Sequence, residues 1–160
     1  MRHAATVPRK RQRGVAAVEF GILIVPLMLM LFGLTEYGRA IYQYNTLAKA
    51  TRDATRFLST VAPGNGWGTA RCLAVYGNTA CNGAALAPGL TAAMVQICDA
   101  TNCPTTHAVV NTGQGSVNLV TVTISGYQFH SLIDFPVGAL TIGAPDMTFG
   151  NISNTMRQAL

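Results

Sequence analysis

The feature that most constrains this chain is an uninterrupted apolar run near its N-terminus. Residues 15–34 read VAAVEFGILIVPLMLMLFGL, and Glu19 is the only charged residue in this run. A helix rises about 1.5 Å per residue, so a run of this length spans roughly the 30 Å of hydrocarbon in a bilayer. The run therefore predicts a transmembrane helix, around which any folded domain has to be built.

The distribution of charge predicts the orientation of that helix. Five basic residues and no acidic residue precede the run: Arg2, Arg9, Lys10, Arg11 and Arg13. Such a cluster is retained in the cytoplasm, so we expect the C-terminal part of the chain to lie across the membrane. Beyond residue 14 the basic and acidic residues cancel, which means that the net charge of +5 comes from the leader alone. A nucleic-acid-binding domain is therefore not expected.

The helical pattern continues past the apolar run. Residues 35–58 contain no proline, and small or apolar side chains recur there in steps of three and four. This spacing predicts one helix face that packs against the rest of the protein. The predicted face comprises Tyr37, Ile41, Tyr44, Ala48, Thr51, Thr55 and Leu58. Gln43 lies off this face, so we expect it to meet solvent.

The two helical stretches can join into one helix with a length of roughly 66 Å. Pro26 removes a backbone hydrogen bond and crowds the preceding turn, so we expect a kink there. Residues 62–66 (APGNG) then end the helix. The predicted organisation is a basic leader at residues 1–14, a transmembrane segment at 15–34, an amphipathic helix at 35–58 and an exported domain at 59–160.

The exported domain is predicted to combine helix and sheet. Residues 117–125 (VNLVTVTIS) alternate between apolar and polar side chains, which is typical of a strand with Val120, Val122 and Ile124 on one side. Weaker strand candidates lie at residues 140–142 and 147–152, a short helix is expected at 90–100, and residues 63–86 are expected to be mostly loop. The predicted fold class is α+β, with the long N-terminal helix packed on a small antiparallel sheet.

All four cysteines lie beyond the apolar run, at Cys72, Cys81, Cys98 and Cys103. An even number of cysteines in an exported domain predicts disulfides, of which each would stabilise the fold by roughly 2–3 kcal/mol. Short separations favour Cys72–Cys81 and Cys98–Cys103, although the other connectivities stay open. A zinc site built from Cys98, Cys103 and His107 is the less favoured alternative because the spacing is not that of common zinc modules.

A motif marks the junction between leader and apolar run. Gly14 ends the basic leader, Val15 would be the first residue after cleavage, and Glu19 and Phe20 follow at the fifth and sixth positions. This arrangement resembles the prepilin-peptidase site of type IV pilins and pseudopilins. The longer stretch resembles the TadE-like minor pseudopilins of the tight-adherence (Tad/Flp) pilus. The matching positions are Gly14, Ala16, Ala17, Val18, Glu19, Phe20, Pro26, Glu36, Gly38, Arg39, Ala54 and Arg56.

The resemblance implies a minor pseudopilin that takes part in the assembly of a Tad/Flp-type pilus. Its leader would be removed by prepilin peptidase after Gly14, and its partners would be the inner membrane, that peptidase and other pilins or pseudopilins. The protein would lie in the bacterial inner membrane with a single span and a periplasmic C-terminal domain, or be incorporated into a surface pilus. The alternative is an unprocessed single-pass envelope protein with an exported binding domain.

The sequence contains no pattern that indicates an enzyme. Neither a G-x-S-x-G nor an H-E-x-x-H motif is present, so we expect no catalytic activity, no cofactor and no metal. His130 and Asp134 are interpreted as a structural pair. Glu36 and Arg39 stand three residues apart on a helix, which predicts an exposed ion pair worth a few tenths of a kcal/mol.

Overall fold

One helix dominates the architecture. The structure, a computed structural model, describes residues 13–132, 134–137, 140–143 and 146–158, so most of the predicted leader lies outside the described residues. Helix α1 (Arg13–Ser59) contains Pro26 without ending there, which confirms a single helix through the apolar and amphipathic stretches. The chain leaves α1 through a turn that contains Gly64, whose φ of +82° favours a glycine.

The sheet is built around one central strand. Strand β3 (Ser116–Ile124) pairs antiparallel with β8 (Ile152–Gln158) along residues 118–124. Its second half also pairs with β1 (Val95–Cys98), and its first two residues pair with β2 (Val110–Asn111). The strand predicted at residues 117–125 is therefore confirmed to within one residue at each end, as is the α+β fold class.

The remaining elements are short. They are α2 (Trp67–Tyr76), a 3-10 turn (Ala92–Met94), α3 (Pro104–His107), the pair β4 (Gln128–Phe129) and β7 (Met147–Thr148), and the pair β5 (Asp134–Val137) and β6 (Leu140–Gly143). Strand β6 confirms the candidate at residues 140–142. The candidate at 147–152 is divided between β7 and the start of β8.

Two expectations for the region before the sheet were wrong. Residues 63–86 were expected to be mostly loop, but α2 forms there because its buried side chains Ala70, Ala74 and Val75 pack beside α1. Residues 90–100 were expected to form a helix. Instead β1 forms, since its backbone completes the edge of β3 and its alternate residues are buried. In both cases tertiary contacts outweigh the local pattern.

The second half of α1 covers the sheet, but on a face that differs from the predicted one. Tyr37, Ile41 and Tyr44 are exposed, and Ala48 is only half-buried. The buried residues of α1 are Glu36, Ala40, Gln43, Leu47, Ala50, Thr51, Ala54, Thr55 and Leu58. The predicted face is thus one residue out of register before Thr51 and correct from Thr51 onward.

Gln43 shows the physical reason for this error. It is buried rather than solvated because its side-chain oxygen accepts a hydrogen bond from the Tyr127 hydroxyl at 2.9 Å. Ala40 is buried as well, although its side chain is small. A face chosen by apolar character therefore selected the large exposed side chains instead of the small and polar ones that meet the domain.

The far end of α1 is tied to the last described strand. Gln158 is buried, and its side-chain Nε2 donates to the carbonyl oxygens of Leu58 at 3.4 Å and Val61 at 3.2 Å. Leu58 lies in the last turn of α1, whose carbonyl groups have no partner in the helix itself, and Val61 lies just beyond the end of the helix. Strand β8 therefore closes the sheet and caps the helix at once.

Asp99 organises the loops at this same side of the domain. It is fully buried, and its Oδ2 accepts hydrogen bonds from the Gly64 N–H at 2.9 Å and the Trp67 indole at 2.8 Å. Its Oδ1 accepts from the backbone N–H groups of Thr101 at 2.8 Å and Asn102 at 3.4 Å. Burial alone would raise the pKa of Asp99, but these hydrogen bonds outweigh it and the pKa is lowered.

Candidate assembly segment

The apolar half of α1 presents most of its side chains at the surface of the described part of the chain. Every side chain of residues 15–35 is exposed except that of Ile24, which is half-buried. Among the described residues, α1 is the one helix long and apolar enough to cross a membrane. An exposed apolar surface of this extent indicates contact with lipid or with other helices.

Glu19 stands alone on this surface. It is exposed, and no other described residue forms a hydrogen bond or an ion pair with it. Gly14 begins the same helix, and a Cβ built on it would meet nothing within 4 Å. Neither residue therefore packs against another of the described residues.

Glu36 lies where the apolar half ends and the domain begins. It is only 4% exposed, and its Oε1 accepts a hydrogen bond from Arg39 Nη1 at 2.6 Å. Its Oε2 accepts from the Ser131 hydroxyl at 3.1 Å and from the Leu132 N–H at 3.3 Å. The expectation of an exposed ion pair was wrong, because residues 130–132, which we call the anchored loop, cover the carboxylate.

Arg39 holds the same loop from its other side. Its Nη2 donates to the carbonyl oxygen of His130 at 3.3 Å, and its guanidinium lies 5.0 Å from the centroid of the Phe129 ring. Burial would raise the pKa of Glu36, but the hydrogen bonds from Arg39, Leu132 and Ser131 outweigh it and the pKa is lowered. The Glu36–Arg39 ion pair therefore holds the anchored loop against α1 and is not a solvent-exposed surface pair.

A second carboxylate completes the loop. Asp146 Oδ2 lies 2.8 Å from His130 Nδ1, and its Oδ1 accepts from the Ser131 N–H at 3.1 Å. We had paired His130 with Asp134; the structure gives Asp146 as its partner, and the side chain of Asp134 is outside what the structure describes. Sequence spacing could not find this contact, because residues 130 and 146 are brought together by the pairing of β4 with β7.

Replacement of Glu36 by glutamine should lower the free energy of unfolding by about 1–2 kcal/mol at pH 7, since hydrogen bonds to a charged group are stronger than neutral ones. The pKa of Glu36 is below its ordinary value of 4.5 when the protein is folded. Its stabilisation is therefore present above pH 4.5 and is lost as the pH falls through the folded pKa. Urea unfolding of the full chain in detergent measures both.

The control for this prediction is the replacement of Asp53 by asparagine, which removes an exposed carboxylate from the same helix and should change stability by less than about 0.5 kcal/mol. The difference between wild type and the Glu36 variant should narrow below pH 4.5. A difference that stays constant down to pH 3 would show that the charge of Glu36 does not hold the loop.

The cysteines form the two pairs that their separations favoured. Cys72 is bonded to Cys81 and Cys98 to Cys103. Among the described residues, Cys98, Cys103 and His107 are the one group close enough to hold a metal, with ligand atoms within 4.8 Å of one another. Because the two sulfurs are joined in a disulfide, they present no thiolate to an ion.

Comparison with known proteins gives one result, and it falls on this segment. Residues 14–56 match the family model of the TadE-like proteins. No curated protein and no solved structure matches the chain. The matched stretch holds Gly14, Glu19, the apolar half of α1 and the Glu36–Arg39 pair. The match confirms the resemblance read from the motif: residues 14–56 of this chain are similar to the TadE-like proteins.

Proposed function

We propose that this protein is a minor pseudopilin that takes part in the assembly of a Tad/Flp-type pilus. The observation that carries the proposal is the TadE-like segment itself: its apolar half is bare, and its other half is packed on a domain. In a helix divided in this way, the second half packs on the domain of its own chain, and the apolar half stays available for contacts with other subunits. The bare part is the surface through which subunits would associate in the membrane and in a filament.

In this proposal the leader lies in the cytoplasm and the C-terminal domain in the periplasm, on the other side of the bacterial inner membrane. Prepilin peptidase removes the leader after Gly14 and leaves Val15 as the new N-terminus. The two disulfides support a periplasmic domain, because disulfides persist in oxidising compartments. Other pilins or pseudopilins then pack against the bare half of α1, where small and apolar side chains allow close helix contacts.

The intact mass of the protein extracted from membranes tests this proposal. Loss of residues 1–14 supports a processed pseudopilin. A full-length chain from cells with an active prepilin peptidase would instead support the alternative, an unprocessed single-pass envelope protein with an exported binding domain. The same spectrum also counts the disulfides, since each one lowers the mass by two hydrogens.

Replacement of Glu19 by valine should abolish incorporation into the filament while leaving insertion and cleavage intact. The carboxylate lies roughly 6 Å along the helix from Val15, whose ammonium appears on cleavage. In a staggered bundle, a neighbour's ammonium could pair with Glu19 and offset the cost of an unpaired carboxylate in hydrocarbon. Valine removes this pairing and makes residence in lipid easier. Co-isolation with purified filaments measures the effect.

Replacement of Ile22 by valine is the matched control, because Ile22 is also exposed on the apolar half of α1 and the change does not alter the charge. This variant should co-isolate at the wild-type level. If the Glu19 variant does so too, the carboxylate has no role in assembly.

A further inference from the structure

Leu132 is the most exposed large apolar side chain among the described residues, with 77% of its surface open. It is nevertheless held in place, because its N–H and the hydroxyl of Ser131 both donate to Oε2 of the buried Glu36. Because the buried carboxylate holds this leucine outward, its apolar surface would be in contact with water, which is unfavourable in free energy. This cost calls for an apolar environment around Leu132.

The segment that ends at Leu132 runs along α1 toward its apolar half. At the start of the segment, the Tyr127 hydroxyl donates to Gln43 at 2.9 Å. At its end, the backbone of Leu132 meets Glu36 at 3.3 Å. Glu36 is seven residues closer to the apolar half than Gln43, which is about 10 Å along the helix. Leu132 is therefore carried to the end of the domain that faces the apolar run.

The level of Glu36 can be placed in a bilayer. If residues 15–34 fill the hydrocarbon core, the headgroup region adds about 5–8 Å on each side, which is about three to five helical residues. Glu36 follows the end of the apolar run by two residues, so its carboxylate and the attached loop fall within that region. Tyr37 is 64% exposed at the same level, and tyrosine is enriched where membrane meets water.

The chain beyond the anchored loop is apolar as well. Strands β5 and β6 read DFPV and LTIG, in which Asp134 is the only charged residue. Strands β5 and β6 pair antiparallel and lie in sequence between Leu132, which contacts Glu36, and Asp146, which contacts His130. The two strands between these contacts are therefore mostly apolar in sequence.

We propose that Leu132 is a second membrane contact, inserted into the interfacial layer of the bilayer and positioned there by Glu36. The proposal rests on α1 crossing a membrane, as proposed above. Lipid is the occupant because the backbone of Leu132 is bonded to Glu36, two residues beyond the end of the apolar run, and because the exposed Tyr37 lies at the same level of α1. This contact restricts the orientation of the domain relative to the membrane, because the domain is then attached at Leu132 as well as through α1.

Site-directed spin labelling of the full chain in phosphatidylcholine–phosphatidylglycerol vesicles tests the proposal. Single cysteines are introduced as Leu132→Cys, Val109→Cys and Leu29→Cys and labelled without reductant, so that the native disulfides stay closed. Val109 is the matched control: it is 71% exposed and its N–H bonds to Asn118, which pairs with Gln158 at the far end of α1. Oxygen concentrates in lipid and a nickel chelate in water, so their relative collision rates report depth.

The ratio of oxygen to nickel accessibility should be highest at position 29 and should equal that of bulk water at position 109. At position 132 we expect a ratio several-fold higher than at position 109. Adding Glu36→Gln to Leu132→Cys should return position 132 toward the water value and leave position 29 unchanged. A water value at 132 with a lipid value at 29 would overturn this proposal alone. A water value at 29 would overturn the membrane span on which both proposals rest.

A third outcome concerns protein partners. If position 132 is shielded from both reagents and its spectrum sharpens on dilution with unlabelled protein, another copy of the chain covers Leu132. That result would overturn lipid as the occupant.

Discussion

Replacement of Asp99 by alanine is expected to lower the free energy of unfolding by about 3 kcal/mol or more. Alanine removes the charged acceptor of four part-buried hydrogen bonds, and a hydrogen bond to a charged group contributes about 1.5–3 kcal/mol. Since Asp99 has no exposed surface, water cannot easily replace the lost carboxylate. The loss would consume a large part of the stability of a domain of this size.

Urea unfolding of the full chain in detergent measures this loss by circular dichroism and by the fluorescence of Trp67, the only tryptophan. Asp99→Asn is the graded variant: it keeps one side-chain oxygen as an acceptor, so it should fall between wild type and Asp99→Ala. Asp53→Ala, at an exposed position of α1, should be near neutral. An Asp99→Ala protein as stable as wild type would show that the loops find other acceptors.

Replacement of Gly14 by valine is expected to abolish removal of the leader without impairing membrane insertion. A peptidase has to approach the backbone closely at the bond it cuts, and a branched side chain at that position obstructs the approach. Within this chain the substitution is harmless, because a Cβ at Gly14 meets nothing within 4 Å. Gly14→Ala should slow processing to a lesser degree. Intact mass of the membrane-extracted protein measures each variant.

The control is Gly21→Val, which adds the same side chain to another helical glycine with nothing within 4 Å of its Cβ. That variant should lose its leader as the wild type does. A Gly14→Val protein that still lost fourteen residues would place the cleavage point elsewhere, and a Gly21→Val protein that kept its leader would point to a general effect of valine in this helix.

Local pattern was sufficient to predict the main elements of the fold. The apolar run and the spacing after it predict α1, and the alternation in residues 117–125 predicts β3, because each signal repeats over many residues. Strand β1 could not be predicted in this way. Its four residues form a strand because β3 offers an unpaired edge, and the sequence of residues 95–98 does not contain that edge.

The role of Glu36 could not be derived from spacing either. Arg39, three residues away, explains only part of its environment, and the loop that buries it lies more than ninety residues later in the chain. A usable signal was present: Glu36, Gly38 and Arg39 match the TadE-like pattern and stand beyond the apolar run. A motif that continues past the apolar run indicates that its residues have a structural role where the apolar run meets the domain. The interpretation of Glu36 and Arg39 as an exposed ion pair did not include such a role.

The pairing of α1 with β8 has a consequence for the timing of folding. Leu58 leaves the ribosome about a hundred residues before Gln158, its partner, and at about 5–20 residues per second this delay is about 5–20 s. During that interval the face of α1 that packs on the sheet has no folded domain against it, while the membrane surface is close by. Alanine and threonine occupy much of that face. Because these side chains are small, they expose little apolar surface to which lipid or other nascent chains could bind before the rest of the protein is synthesised.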